Sequence, residues 1–215
     1  MTYLCCSSLP DFFSVENTAV LLKSRFCGRE NAEYIDKIAN RVPSAAAEGL
    51  YALSLLSKML ELYFPQELRG NLILARSENG KPYFVDSPIK FSISHSGGIV
   101  ACAISDSCEL GVDVESVSIS KSRADGIIAR FFDKADLSRL SGDTNAFRRE
   151  WTRKEAAAKM HGMPLADYLK RTKNGNFDDS HTTFFFEFFT GEFPVTLCTD
   201  NPQEEIIELS IDTFS

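Results

Sequence analysis

Five residues, Gly111-Val112-Asp113-Val114-Glu115, constrain this chain more than any other stretch. Side chains alternate along an extended strand, so Asp113 and Glu115 share one face, roughly 7 Å apart, with Val112 and Val114 on the other. Two hard oxygen donors then look off one side of a sheet. A second stretch, Trp151 to Lys159, reads as helix and puts Trp151, Glu155 and Lys159 at i, i+4 and i+8 along one face. If that face meets the strand, three carboxylates and an ammonium converge, which suits a divalent cation holding a phosphorylated substrate. Taken singly, the two pieces are also an ordinary half-exposed strand and a solvated ion-pair helix. Their combination with Ser94-His95-Ser96-Gly97 sets them apart.

A chain of 215 residues with 44% hydrophobic content can bury a real core as one large domain or two small ones. No run of apolar residues is long enough for a membrane helix, and Met1-Thr-Tyr-Leu-Cys-Cys-Ser7 has neither a basic nor a long apolar leader segment, so a cytoplasmic protein that engages no membrane is expected. The six cysteines contain no Cys-x-x-Cys pair and are expected as free thiols, with no zinc site. The net charge of −7 is unevenly spread: residues 121–173 carry 13 Lys/Arg against 7 Asp/Glu, whereas residues 174–215 carry no Lys/Arg and 9 Asp/Glu. A basic middle segment could receive an anionic ligand or an acidic protein, or could simply be solvated helix faces. Nucleic acid fits poorly, because the balance is acidic and no basic stripe is interleaved with aromatics.

Along the chain, residues 1–28 read as short strand and loop, including the apolar run Thr18 to Leu22. Glu30 to Asn40 reads as helix, and Ser44 as the N-cap of a long helix to about Tyr63 with Leu50, Leu53, Leu56 and Leu60 on its buried side. Strands are expected at Leu72–Ala75, Lys81–Val85, Phe91–Ser94, Ile99–Ile104 and Leu110–Glu115, with turns at Asn79-Gly80 and His95–Gly98. Helices return at Arg123–Phe132 and Asp133–Leu140, then in a long segment capped by Asp143 and ending at Gly162. The tail reads as antiparallel strands at Phe184–Phe189, Pro194–Thr199 and Glu205–Ile211. Helix followed by strands, twice over, hints at two similar halves, although no sequence repeat proves it.

Ser-His-Ser-Gly invites a serine hydrolase with Ser94 or Ser96 as nucleophile, but a strand follows it where a nucleophile elbow needs a helix. A histidine at that turn could instead donate to a phosphate. His161 reads as a helix C-terminal residue and His181 as part of a polar loop. No glycine pattern forms a nucleotide phosphate cradle.

Phe91-Ser-Ile-Ser-His-Ser-Gly97, Gly111-Val-Asp-Val-Glu115, Arg130-Phe-Phe132 and Trp151-x-x-Lys-Glu-Ala-x-x-Lys159, in this order, resemble the 4'-phosphopantetheinyl transferases of the long, surfactin-synthetase-activating type, over about residues 80–162. The resemblance implies Mg²⁺-dependent transfer of the phosphopantetheine arm of coenzyme A to a serine of an apo carrier protein (acyl, polyketide or peptidyl), with release of adenosine 3',5'-bisphosphate. It implies Asp113, Glu115 and Glu155 as metal ligands, Lys159 as a phosphate contact and Glu155 as general base. His95 would touch the coenzyme 3'-phosphate, with Ser94 beside it and Lys81 and Pro82 near the nucleotide. The family supplies cations near the start of its long helix; here Ser44-Ala-Ala-Ala-Glu48 has none, and Arg41, Lys23, Arg25 and Arg29 are the nearby substitutes. Gly98 stands where the family has a bulkier residue.

The expected fold is α+β: two similar subdomains, residues 1–109 and 110–215, each a long helix on a small antiparallel sheet, related by a pseudo-twofold with the active site in the cleft between them. Fused halves imply a monomer. A non-catalytic relative that binds coenzyme A or a carrier is the rival expectation.

Overall fold

The computed structural model describes residues 1–70, 72–175, 177 and 182–210. The chain is a mixed α/β protein, and its first half begins with strand β1 (Thr2–Ser8). Helices α1 (Val15–Arg25), α2 (Arg29–Ala39), α3 (Pro43–Tyr63) and the short α4 (Pro65–Arg69) follow. Two hairpins close this half: β2 (Ile73–Arg76) with β3 (Pro82–Val85), and β4 (Lys90–Ser96) with β5 (Ile99–Ser105). The second half runs β6 (Leu110–Val114), α5 (Lys121–Phe131), α6 (Lys134–Leu140), α7 (Thr144–Met160) and α8 (Leu165–Lys173), then β7 (Phe184–Thr190), β8 (Phe193–Thr199) and β9 (Ile206–Leu209).

Helix α3 is apolar almost all round because it lies inside the first half: Leu50, Leu53, Leu55, Leu56, Met59 and Leu60 are all fully buried. Its start differs from the sequence expectation. Pro43 occupies the first turn behind Val42, and no side chain caps the helix, so Ser44 is not the N-cap; a proline there has no N–H to satisfy and a φ already suited to the helix. The run Thr18–Leu22, expected as strand or loop, lies inside α1, which Ser14 caps by accepting from the Asn17 N–H at 3.2 Å. Helix α8 was not expected.

The sheets are ordered β4-β5-β1-β9 and β6-β8-β7, with β2-β3 apart. In both larger sheets the strand that opens a half pairs antiparallel with the second strand of that half's closing hairpin. Strand β9 departs from the expected antiparallel tail. It leaves β7 and β8 and runs parallel to β1, Thr2 opposite Ile206 and Cys5 opposite Leu209, which covers the free edge of β1 and adds Ile206 to a cluster built on Leu4, Leu110, Val112 and Leu197. His181 and Ile211 lie outside the described residues.

The turn between β4 and β5 is two residues, Gly97 and Gly98, because β4 runs through His95 and Ser96. Both glycines have positive φ, 53° and 84°, the hairpin geometry that a bulkier residue at position 98 would strain.

Candidate active site

The edge strands of the two larger sheets, β4 and β6, face each other and are stitched by side chains. Alternate residues Ser92, Ser94 and Ser96 point the same way, and their hydroxyls accept from the amides of Val112 (3.0 Å), Val114 (3.4 Å) and Ser116 (3.1 Å). Ser116 in turn donates to the Ser96 carbonyl. A serine-x-serine-x-serine strand thus supplies acceptors where a backbone ladder would otherwise be needed.

Helix α7 lies directly on β6. A Cβ added to Gly111 would sit 2.0 Å from the Ala156 carbonyl oxygen and 2.5 Å from the Met160 nitrogen, so only glycine permits the approach. Buried Thr152 on α7 meets Thr196 on β8 at 2.8 Å between hydroxyls, and Asp143 caps the helix start by accepting from Asn145 and Ala146. This packing brings the two sequence motifs together.

Lys159 Nζ donates to Asp113 Oδ1 at 2.6 Å, Ser94 Oγ at 2.9 Å and the Val112 carbonyl at 3.1 Å. Ser94 donates to the same Asp113 oxygen at 2.7 Å, and Ser96 donates to Glu115 Oε2 at 3.2 Å. Asp113 is 3% exposed, yet its Oδ2 is buried without a hydrogen-bond partner. Glu155 takes a hydrogen bond from the Trp151 side chain, but burial, and then the charge of Asp113, push its carboxyl up to about 7 against the pull of Lys159. Burial and Asp113 raise Glu115 as well. Three carboxylates therefore crowd a space that one ammonium does not neutralise. In this geometry, among the described residues, no three His, Cys, Asp or Glu side chains draw close enough to chelate an ion, and the ammonium of Lys159 sits on Asp113 Oδ1.

Arg41, Lys81, Pro82, Ser94, His95, Asp113, Glu115, Glu155 and Lys159, the nine residues singled out from the sequence, all line one cleft of about 440 Å³. Their partners differ from simple expectation in two places. Lys81 is tied down, its ammonium donating to Glu109 (3.3 Å) and to the carbonyls of Leu110 (3.3 Å) and Met160 (3.2 Å); burial lowers its pKa. With Asn79 donating to the Gly162 carbonyl at 2.8 Å, it straps the β2-β3 hairpin to the end of α7. His95 pairs with Glu48, a residue the sequence reading passed over: Nδ1 to Oε2 is 2.8 Å, and the Gly98 N–H donates to the other oxygen at 2.7 Å. Nothing in the local spacing of Glu48 signals this, because its partners lie some fifty residues away. A hydrolase arrangement is absent among the described residues: the Ser94 and Ser96 hydroxyls donate to carboxylates, not to His95.

Residues 109–205, which carry Asp113, Glu115, Glu155 and Lys159, match the family described as the 4'-phosphopantetheinyl transferase superfamily. Over that stretch the chain is similar to this superfamily. The chain is 33% identical over 138 residues to a 4'-phosphopantetheinyl transferase of Bacillus subtilis, covering 60% of this chain and 57% of that protein. It is 29% identical over 145 residues to a putative 4'-phosphopantetheinyl transferase of Haemophilus influenzae, covering 61% and 60%. A third relative, the 4'-phosphopantetheinyl transferase gsp of Aneurinibacillus migulanus, is 35% identical over 100 residues, covering 44% and 40%. The matches thus span 40% to 60% of these relatives' length, less than two thirds.

Proposed function

We propose that this chain transfers the 4'-phosphopantetheine arm of coenzyme A to a serine of an apo carrier protein, in the cytoplasm and as a monomer. The observation that carries the reading is the unpartnered, buried Asp113 Oδ2 among Glu115, Glu155 and Lys159, within the stretch the superfamily covers. An orphaned carboxylate oxygen in a crowd of carboxylates fits a hard divalent cation. Asp113, Glu115 and Glu155 are the residues that would hold Mg²⁺. Bound there, the ion would offset the charge of the coenzyme pyrophosphate.

The chain's own groups supply the rest. Lys159 is placed to neutralise charge on the transferred phosphoryl group, and Ser94 holds Lys159 and Asp113 in register. The serine oxygen of the carrier attacks the β-phosphorus, its proton passes to a Glu155 carboxylate oxygen, and the bond to the departing adenosine 3',5'-bisphosphate breaks. Arg41, Lys81, Pro82 and His95 line the part of the cleft assigned to the nucleotide. The equivalent strand orders β4-β5-β1 and β7-β8-β6 support a pseudo-twofold between residues 1–109 and 110–215, with the catalytic groups at their junction.

The test is the intact mass of an apo carrier protein after incubation with the chain, coenzyme A and Mg²⁺. One added phosphopantetheine arm, lost when EDTA is present and in Asp113→Ala, is the expected result. Coenzyme binding without mass gain on acyl, polyketide and peptidyl carriers would turn the assignment towards a binding protein.

A further inference from the structure

Glu48 lies near the start of α3, outside the motifs and outside the stretch that the superfamily match covers. Its carboxylate is mostly buried, 13% exposed, and both oxygens are used: one faces His95 Nδ1 at 2.8 Å and the other accepts from the Gly98 N–H at 2.7 Å. One side chain therefore fixes an imidazole and the turn that follows it. With Nδ1 committed to Glu48, Nε2 is the ring nitrogen left for the cleft that His95 lines. Arg41 stands at the same end. A Cβ on Gly49, the residue after Glu48, would lie 4.0 Å from Arg41 Nη1, so the guanidinium rests over the first turns of α3.

We propose that Glu48 is a positioning residue that holds the His95 imidazole for the ribose 3'-phosphate of coenzyme A and thereby sets the preference of the cleft for the 3'-phosphorylated nucleotide. The inference rests on the reading of the cleft as a coenzyme A site. A neutral ring that donates its Nδ1–H to Glu48 offers a lone pair at Nε2, which repels a phosphate; a ring with protons on both nitrogens donates to it. The Glu48 carboxylate accepts from Nδ1–H and keeps the ring plane fixed, and it is the counter-charge that such a doubly protonated ring would need. It also explains how an acidic residue can sit where a phosphate binds: its charge is spent on the imidazole and the Gly98 amide.

Calorimetric titration with coenzyme A and with 3'-dephospho-coenzyme A, both in Mg²⁺, tests this on wild type, Glu48→Ala, Glu48→Gln, His95→Ala and the Glu48→Ala/His95→Ala double variant. Glu48→Ala is expected to weaken coenzyme A binding about tenfold, the scale of one charge-assisted hydrogen bond, and to leave 3'-dephospho-coenzyme A within about twofold. The double variant should bind coenzyme A no worse than His95→Ala. In proton NMR the His95 Nδ1 proton, assigned through His95→Ala, should disappear in Glu48→Ala. Equal losses for both nucleotides, additive losses in the double variant, or tighter coenzyme A binding without Glu48 would overturn the proposal. Should Glu48→Ala fail to fold, Glu48→Gln decides: its amide oxygen can still accept from Gly98, so a reduced preference without a lowered melting temperature supports the role, and an unchanged preference overturns it. Wild type that binds both nucleotides alike overturns the coenzyme reading of this end of the cleft, and the proposal with it. That result is distinct from a wild type that discriminates while its Glu48 variants do so equally.

Discussion

Asp113 holds two different environments on one carboxylate. Oδ1 accepts from Lys159 and Ser94, while Oδ2 is sealed in without a partner. The sequence shows the carboxylate and its neighbours on one face, because alternation along a strand and the four-residue helical repeat are local rules. It does not show how each is held. Ser94, Ser96 and Glu48 act on residues 19, 19 and 50 positions away, and such pairings arise only once the sheets meet. Cysteine was more legible. The cysteines are thiols, as the absence of paired spacing implies, and their environments separate them: burial pushes the Cys6 thiol up to about 12 and raises Cys102 well above its usual range, whereas Cys27 is exposed. Thiolates are the reactive form. A thiol-reactive chromophore added to the native chain should therefore label one site quickly, Cys27. The fast phase should vanish in Cys27→Ser and the remaining thiols should react on denaturation; two or more fast thiols in the native chain would contradict this burial pattern.

Among the elements, the crossing of β6 and α7 matters most, because it converts two separate motifs into one site. Both were legible: strand and helix appear within a residue or two of their expected bounds, and Asp143 caps α7 as the sequence implies. The contact between them rests on Gly111. Gly111→Ala would press a methyl carbon into the α7 backbone, and no side-chain rotation relieves a clash with main-chain atoms. The expected cost is about 3 kcal/mol or more, in the upper range of overpacked cores, equivalent to a melting temperature roughly 10 °C lower in a chain this size. Coenzyme binding should fall with it as Lys159 and Glu155 move off Asp113. A melting temperature within a degree or two of wild type would mean that α7 shifts without strain. The elements that were misread share a cause. Thr18–Leu22 is short and apolar, which periodicity alone cannot assign to strand or helix, and the partner of β9 is set by the free edge of β1, two hundred residues away.

At the scale of the whole molecule, charge is sorted along the chain, and the sorting bears on what can approach the cleft. The cations of residues 121–173 are only partly consumed by internal pairs: Arg139 and Arg153 are held by Asp136, Glu150 and Glu187, and Arg148 donates to the Glu115 carbonyl at 2.6 Å beside the site. The Arg149 side chain, in contrast, makes neither an ion pair nor a hydrogen bond among the described residues, and it lines a surface depression with Arg139 and Arg153. Among the described acidic residues that follow, Glu187 on β7 pairs with Arg153, whereas Glu204, Glu205 and Glu208 lie in or just before β9, which pairs with β1 of the first sheet. An acidic carrier protein docking on this surface would be steered by exposed charges, whose influence falls off over roughly 8 Å at physiological ionic strength. Raising salt from about 50 to about 500 mM should then raise KM for the carrier several-fold, with a smaller effect on kcat. Arg149→Glu should reproduce part of the KM increase at low salt and show a weaker salt response. A carrier KM that ignores both salt and Arg149 would place the docking surface elsewhere, on exposed apolar residues such as Val117.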